Sequence, residues 1–348
     1  MNRIVVLMLS ATCLLTGCAE DKEETCVFVP KTSEADINIQ FESLEDSLPA
    51  ITTKAELVSF FSQHTTLRDY FFSRPAYPDD SVFINELFHR FTNPHLDTLL
   101  METKKVFGDL TELKGEFRTA FANMKYYYPD FTPPKIITVI TGLEGDLYVS
   151  DSLVIIGLDY FLGPNAKYKP NMYEYMLRRY QKNFIVPSVM LLYGIDDRFN
   201  KTNVDDKTVL ADMIAFGKAY YFAKHMMPCT ADSIFIAYTQ EEINGSRKNE
   251  GLIWYRFIED QVLYETGHQV KQKYIDERPK TIEVGEKCPG RIGTWIGWEI
   301  VKTYMKRYPE TTLPQLMLIQ SADKIFKDSK YKPDLPKGNV TKDLKPGA

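Results

Sequence analysis

The strongest strand signals of this chain fall within one short region, residues 135–157. Lys135–Thr141 reads KIITVIT, and the runs Leu147–Ser150 and Leu153–Gly157 follow it closely. β-Branched and aliphatic residues favour strands, and the intervening Gly142–Asp146 has turn composition. Because strands adjacent in sequence usually pair, the three runs predict a small antiparallel sheet.

Elsewhere, apolar residues recur at three- and four-residue spacing, which is the period of an amphipathic helix. Capping residues and prolines set the boundaries of these segments, and Pro187 either kinks its helix or starts a new one. The predicted helices are Lys54–His64, Asp80–Lys104, Asp109 or Thr111 to Tyr127, Met172–Tyr193, Asp206–Met227, Thr239–Gly245, Lys248–Tyr264, His268–Asp276, Pro289–Tyr308, Thr312–Gln320 and Ser321–Asp328. A small sheet between runs of helix predicts a helix-rich α+β fold.

The first eighteen residues have the composition of a bacterial lipoprotein signal. Arg3 supplies a positive charge, and Ile4–Leu15 is largely apolar but shorter than the roughly 20 residues of a membrane span. The run Leu15-Thr16-Gly17-Cys18 has the form of a lipoprotein cleavage site, which makes Cys18 the predicted lipidation site. An ordinary cleaved signal, in which Cys18 is incidental, is the alternative. No later segment is long and apolar enough to span a membrane, so the lipid is the predicted anchor.

The chain then divides into four predicted parts. Residues 1–17 are a signal peptide, 18–35 a lipidated acidic tether, 36–330 a single helix-rich domain, and 331–348 a disordered tail rich in Lys, Pro and Gly. The anchor predicts a cell-envelope location at the outer membrane, facing the periplasm or exposed on the surface. The net charge of −5 argues against nucleic acid as a partner, because nucleic acid requires a basic surface.

The cysteines match no zinc-site spacing. After cleavage, Cys18 carries the lipid, Cys26 lies in the tether, and Cys229 and Cys288 lie in the domain. A Cys229–Cys288 disulfide in an oxidising compartment and two unpaired buried cysteines are both compatible with the sequence.

Common catalytic motifs are missing from the sequence. A zinc protease of the H-E-x-x-H type needs two histidines one helical turn apart, and no two of the five histidines have that spacing. The chain also lacks a G-x-S-x-G nucleophile elbow and a phosphate-binding G-x-x-x-x-G-K-[ST] loop. The sequence therefore predicts no metal and no cofactor. The histidines, predicted to be surface or satisfied polar residues, are His64, His89, His95, His225 and His268.

The predicted helix from Pro289 to Tyr308 has two unusual faces. On one face Gly293 and Gly297 let another backbone approach closely, at a cost of about 1 kcal/mol each relative to alanine. On the opposite face, cations flank two tryptophans: the residues are Arg291, Trp295, Trp298 and Lys302. The helix is either buried on both sides or presents Arg291, Trp295 and Trp298 to a cleft or a partner.

Three carboxylates are further candidate site residues. Glu250 lies near a predicted helix N-terminus, where it fits a site acid or a partner of the helix dipole. Asp159, in the run GLDYFLG, and Asp212, in the run ADMIAFGK, have the same two interpretations. A cleft acid is the functional interpretation of each residue, and a structural contact is the other.

Several stretches together resemble the gliding-motility lipoprotein GldB family of Bacteroidota. They are LVIIGLDYFLGPNAKYKP, LADMIAFGKAYYF, NEGLIWYRFIED, PGRIGTWIGWEIVKTYM and the terminal DSKYKP. With the lipoprotein signal, the resemblance covers nearly the whole mature chain. It implies a role in the cell envelope beside the gliding and type IX secretion machinery.

That family is in turn distantly similar to membrane-associated or secreted zinc proteases. The resemblance puts Phe184–Tyr193 at the metal-binding helix, Phe216-Gly217 at a glutamate-glycine pair, and Gly293–Gly297 at a later glycine-containing helix. Phe184–Tyr193 has no histidine, so the resemblance implies a degenerate zinc-protease scaffold without its metal.

Two functions follow as expectations. The first is a non-catalytic envelope lipoprotein that binds a protein partner or acts as a scaffold, with Arg291, Trp295 and Trp298 in contact with that partner. The second is a hydrolase that acts on a peptide or an envelope polymer through carboxylates, with Glu250 beside Asp212 or Asp159.

Overall fold

The computed structural model describes Cys26, residues 30–31 and residues 37–335. The predicted signal peptide, Cys18 and most of the predicted tether lie outside the described residues, as does the tail from residue 336. None of the described helices combines the length and the apolar character needed to cross a membrane.

Helices make up most of the described chain. Capping boxes start several of them: Thr53 with Glu56 starts the first, and Thr239 with Glu242 starts the ninth. The helices are α1 (Lys54–Gln63), α2 (Asp80–Phe91), α3 (Leu96–Phe107), α4 (Thr111–Tyr127), α5 (Glu174–Leu177), α6 (Ile185–Ile195), α7 (Val209–Met226), α8 (Asp232–Ile236), α9 (Gln240–Lys248), α10 (Glu250–Glu259), α11 (His268–Tyr274), α12 (Ile292–Arg307), α13 (Leu313–Leu318) and α14 (Ala322–Ser329).

Three predicted helices are interrupted in the structure. The segment Lys248–Tyr264 contains the last residue of α9, then α10 and a 3₁₀ turn at Val262–Tyr264. The segment Asp80–Lys104 forms α2 and α3, because the chain turns near Pro94, which lacks a backbone donor. The segment Met172–Tyr193 contains only the short α5, a 3₁₀ turn at Lys182–Phe184 and most of α6. Pro187 lies in the first turn of α6, where backbone N–H groups have no partner within the helix. The structure therefore agrees with the second interpretation of Pro187: the proline lies at the start of a new helix and does not kink a longer one.

The sheet has four strands in the order β1-β2-β4-β3: β1 (Phe41–Ser43), β2 (Lys135–Val139), β3 (Leu147–Val149) and β4 (Leu153–Gly157). β1, β2 and β4 are parallel, and β3 pairs antiparallel with β4. The α+β class is confirmed, but the sheet is mixed rather than antiparallel. β1 is too short to give a strand signal in the sequence.

The parallel pairing follows from the burial of the two central strands. Side chains of β2 and β4 alternate between two separate apolar cores, with Ile136, Val154 and Ile156 in one and Ile137, Val139 and Ile155 in the other. Continuous apolar runs of this kind are typical of parallel strands covered on both faces. The chain leaving β2 passes the position of β4 and forms β3 at the sheet edge, and β4 then fills the place between.

Helices cover both faces of this sheet. Side chains from α1, α2 and α3 form the smaller core with one face. The larger core joins the other face to α4, α6, α7, α12 and the C-terminal helices. The sheet is therefore the middle layer between two helical layers.

The closest helix contact is between α7 and α12, at two glycines. A Cβ atom on Gly297 would lie 1.8 Å from the carbonyl oxygen of Met213, and one on Gly217 would lie 2.3 Å from that of Gly297. A Cβ on Gly293 would lie 2.8 Å from the oxygen of Tyr274. The close approach of a second backbone to Gly293 and Gly297, expected from the sequence, is confirmed.

The amine of Lys218, in the middle of α7, is buried, and no carboxylate of the described residues pairs with it. Its Nζ donates to the carbonyl oxygens of Met317 and Ile319 at 3.0 and 2.9 Å and to Thr202 Oγ1 at 3.1 Å. Burial lowers the pKa of Lys218 to about 7. The lysine therefore ties α7 to the end of α13 and also carries a titratable proton within the core.

This burial makes stability depend on pH. Between pH 7 and the ordinary lysine pKa, the unfolded chain binds more protons than the folded chain, so the free energy of unfolding rises with pH. We expect a rise of up to about 1.4 kcal/mol per pH unit from this group between pH 7 and 9. Urea unfolding of the wild type and of Lys218→Met at pH 7, 8 and 9 measures it. Equal slopes in the two proteins would contradict the assignment.

The disulfide joins Cys26 to Cys229, with a Cα–Cα distance of 4.2 Å. The Cys229–Cys288 pairing considered above is therefore wrong, and Cys288 is a free thiol. Burial, together with the charge of Glu283, raises the pKa of the Cys288 thiol to about 12, so this cysteine is held as an unreactive thiol. The disulfide fixes the predicted tether to the domain surface just after α7.

The packed chain extends past the predicted domain boundary at residue 330. Tyr331 is buried against Trp254 of α10, with ring centroids 5.1 Å apart, and its hydroxyl donates to Glu250 Oε1 at 2.7 Å. A Cβ on Gly251 would lie 2.0 Å from the carbonyl oxygen of Asp334. Residues 331–335 thus lie along α10, and the rest of the predicted tail is outside the described residues.

Candidate functional site: an arginine-lined cleft

The two tryptophans of α12 lie in the protein interior. Trp295 and Trp298 are 1% and 0% exposed. The Trp298 ring packs on Tyr220 of α7 at 5.1 Å between centroids, and Lys302 Nζ lies 4.0 Å from its centre. Of the two interpretations of this helix, burial on both sides is therefore the one that the two tryptophans support. A partner surface formed by Trp295 and Trp298 does not agree with their burial.

Asp159 holds a turn rather than lining a cleft with its carboxylate. Its oxygens accept hydrogen bonds from the backbone N–H groups of Thr141 and Leu143, at 2.9 and 2.7 Å. Burial raises the pKa of Asp159, although these donors oppose the change. Leu143 has a positive φ of 64°, so the buried carboxylate stabilises the turn between β2 and β3.

The other two candidate carboxylates also have structural partners. Asp212 pairs with Lys271 of α11 at 2.7 Å. Glu250 accepts the Tyr331 hydroxyl described above, and burial raises the pKa of Glu250. None of these contacts joins two of the three predicted carboxylates.

Arg291, a predicted site residue, lines a charged cleft with its side chain. It immediately precedes α12 and has φ 57° and ψ 27°, a left-handed conformation that costs a non-glycine residue roughly 1–2 kcal/mol. Its carbonyl oxygen accepts bonds from the N–H and the hydroxyl of Thr294, both at 2.9 Å. The side chain donates to the carbonyl oxygen of Ile236 and lies 3.4 Å from Glu277.

The segment before Arg291 builds one wall of this cleft. A Cβ on Gly290 would lie 1.8 Å from the carbonyl oxygen of Arg278, so only glycine fits there. The Tyr238 hydroxyl donates to the Gly290 oxygen at 2.6 Å, and Thr281 donates to the Pro289 oxygen at 2.9 Å. These bonds hold Arg278 and Arg291 on one side of the opening.

Two further arginines, Arg178 and Arg179, come from the segment after α5. Arg178 pairs with Glu242, and Arg179 Nη2 donates to Glu277 Oε2 at 2.6 Å. Glu242 Oε2 also accepts the Thr239 N–H of the α9 capping box at 2.8 Å, which fixes its position. Glu277 is shared between Arg179 and Arg291.

The cleft lining therefore carries four arginines against two glutamates. Glu283, next to the lining, pairs with Arg278 at 3.0 Å, so the cluster keeps one net positive charge, in contrast to the net charge of −5 of the chain. The four guanidinium side chains are 16–28% exposed, so they are partly desolvated and still accessible. Arg179 Nε is buried and has no hydrogen-bond acceptor among the described residues, which is unusual for a buried donor.

The sequence does not reveal this cluster. Its arginines come from residues 178–179 and 278–291, which no local motif connects. The pairs Arg178-Arg179 and Glu277-Arg278 are short charge clusters that would be read as exposed. Only the unusual composition around Arg291 indicates this part of the fold.

A second charged cluster lies beside the buried tryptophans. Asp232, 7% exposed, is surrounded by Lys302 at 2.8 Å, Arg247 at 3.2 Å and Lys224 at 3.3 Å. Burial disfavours ionisation, but the three cations outweigh it and lower the pKa of Asp232. The cluster joins α7, α8, α9 and α12 and has a structural role.

Within the described residues, no group of three or more histidine, cysteine, aspartate or glutamate side chains is arranged to hold a metal ion. His95 Nδ1 is 3.0 Å from the Tyr168 hydroxyl, and His225 Nδ1 is 2.7 Å from the Tyr221 carbonyl oxygen. These two histidines are satisfied polar residues, as the sequence predicts.

The described residues thus form a helix-rich α+β domain with an arginine-lined cleft at the start of its central helix. A family model for gliding motility protein GldB matches residues 25–333, and the chain belongs to this family. Membership makes it a gliding-motility-related lipoprotein, a class associated with the cell envelope. No curated protein and no solved structure matches the chain, and the similarity to zinc proteases is not confirmed.

Proposed function

We propose that this protein is a non-catalytic binding component of the gliding-motility envelope apparatus. A lipid on Cys18 would hold it at the outer membrane, beside the type IX secretion machinery. A protein partner would contact the arginine-lined cleft. Arg291 keeps the binding role expected for it, but Arg178, Arg179 and Arg278 replace the tryptophans as the contact residues.

The accessible positive charge of the cleft is the observation that carries the proposal. Three separate chain segments converge to build it: the end of α5, the turn between α8 and α9, and the loop before α12. The left-handed Arg291 is a strained residue of the kind concentrated at functional sites. Partly desolvated arginines of this kind are common in protein interfaces.

The absence of catalysis is part of the proposal. An acid–base hydrolase needs two carboxyl groups near one another with separated pKa values. Asp159, Asp212 and Glu250 are each engaged by a different structural partner. The cleft itself presents cations, and its two glutamates are paired with arginines.

The disulfide supports the location. Disulfides persist in oxidising compartments such as the periplasm. The bond between Cys26 and Cys229 also places the attachment point of the predicted tether close to the predicted lipidation site in sequence. The domain would therefore be held near the membrane by a short segment.

Crosslinking in native envelope, followed by pull-down, tests the proposal. We expect Arg178→Glu to lose at least one specific adduct that the wild type forms. Arg198→Glu is the matched control, because Arg198 is a similarly exposed arginine paired with Asp196 at 2.8 Å. Identical adducts for the two variants would contradict a role of the cleft. Purified protein that binds stoichiometric zinc and cleaves peptides would contradict the non-catalytic assignment.

A further inference from the structure

We propose that the ligand of the cleft is a carboxylate group of an acidic peptide segment, which accepts a hydrogen bond from Nε of Arg179. This inference rests on the proposed binding function and gives the chemistry of the partner. Its starting point is the buried Nε of Arg179, which has no acceptor in the part of the chain that the structure describes.

The geometry of a guanidinium explains what this atom lacks. Nε–H and one N–H of Nη2 point in the same direction along one edge, which matches the two oxygens of a carboxylate. Nη2 of Arg179 donates to Glu277, while Nε donates to nothing in the described structure. A buried donor without an acceptor costs about 1–3 kcal/mol, and an oxygen from a ligand would remove that cost.

The charges around Arg179 select among anions. Glu242 and Glu277 of the lining, together with Glu283, which pairs with Arg278 at 3.0 Å, balance three of the four positive charges. The one remaining charge suits a single carboxylate, whereas a densely charged phosphate would lie close to the glutamates. The guanidinium of Arg291, with Nε 3.4 Å from Glu277, is a second cation beside the same carboxylate.

An aromatic pair next to the cleft favours a peptide over a small anion. Tyr175 lines the cleft, and its ring stacks on that of Tyr173 with 18° between the planes. Tyr173 is 74% exposed. Tyrosine and arginine side chains are enriched among the residues that dominate binding energy, because they give a rigid contact area with polar groups.

Three synthetic hexapeptides test the proposal against the full-length protein in detergent. The first has two internal glutamates and an amidated C-terminus, the second has glutamines and a free C-terminal carboxylate, and the third has glutamines and an amidated end. Inorganic phosphate is a fourth probe. We expect calorimetry to detect binding of the first or the second peptide. Which of the two binds shows whether the ligand is a side-chain or a terminal carboxylate. The neutral peptide should not bind.

Variants of Arg179 locate the site. We expect Arg179→Gln to weaken binding of the acidic peptide at least tenfold, and the control Arg198→Gln to leave it unchanged. Arg179→Lys keeps the positive charge but lacks the Nε–H donor of the guanidinium, so it should also weaken binding. It tests the proposal even if Arg179→Gln fails to fold. Equal affinity for the neutral peptide, tighter binding of phosphate, or unchanged binding in Arg179→Lys would each overturn the proposal.

The two proposals fail in different ways. If Arg178→Glu loses its envelope adduct but neither acidic peptide binds, the carboxylate ligand is wrong and the binding function stands. If acidic peptides bind but the envelope adducts do not depend on Arg178, the ligand chemistry is supported and the proposed partner contact is wrong.

Discussion

Replacing Gly297 with alanine is expected to destabilise the protein by about 3 kcal/mol or more. The new methyl group would lie 1.8 Å from the carbonyl oxygen of Met213, a backbone atom in the first half of α7. Neither helix can move away alone, because Gly217 of α7 contacts Gly297 and Trp298 at the same crossing. Overpacking of this kind typically costs 1–3 kcal/mol and more where backbone is displaced, which exceeds the roughly 1 kcal/mol that alanine adds to helix stability.

Gly245 provides the matched control. It is exposed in the middle of α9, and a Cβ there would meet no atom within 4 Å. Gly245→Ala should therefore raise the free energy of unfolding by about 0.5–1 kcal/mol. Urea denaturation followed by circular dichroism compares the two variants. A Gly297→Ala protein as stable as Gly245→Ala would show that α7 and α12 do not cross at this glycine.

Removing the charge of Asp232 by Asp232→Asn is expected to cost about 3–5 kcal/mol. Three cations lie within 3.3 Å of this carboxylate, and Lys224 among them has a side chain only 7% exposed. Without Asp232 their charges repel one another in a partly dry environment. Because the folded-state pKa of Asp232 is lowered, its stabilisation is present above the ordinary aspartate pKa and is lost as the pH falls through the folded value.

Two comparisons isolate this effect. Asp69, paired with Arg68 where both side chains are about one-third exposed, should lose less than about 1 kcal/mol in Asp69→Asn. Adding Lys224→Met to Asp232→Asn removes one of the uncompensated cations and should recover part of the lost stability. Thermal and urea unfolding of the set measures both. Lys224→Met alone gives the stability that this substitution costs in the wild type. If it lowers the free energy of unfolding of Asp232→Asn by the same amount, repulsion between the cations is not the cause.

Local patterns predicted the elements of this fold well where the pattern was long. The segments of α1, α4, α7 and α12 follow from apolar spacing and capping residues, because those signals are within one helix. The single helix predicted over Asp80–Lys104 was wrong at Pro94, and the sequence left two interpretations of Pro187 open, since a proline can kink, end or begin a helix. The pairing of β2 with β4 depends on what covers each face of the sheet, which no single strand encodes.

The residues that line the candidate site, by contrast, could not be predicted from local patterns. Trp295 and Trp298 have the composition of a binding surface, yet α7 and the neighbouring elements bury both. Arg178, Arg179 and Arg278 look like ordinary surface charges in sequence. They form a site only because the loop before α12 and the segment after α5 meet.

The sequence by itself determined the helical class, the central strands, the close approach at Gly293 and Gly297, and the family, since each depends on local spacing or on motifs in order. The tertiary structure decided the parallel pairing, the Cys26–Cys229 bond and the meeting of four arginines. The physical reason is range: periodicity acts over a few residues, whereas charge, burial and disulfide formation depend on which distant segments come into contact.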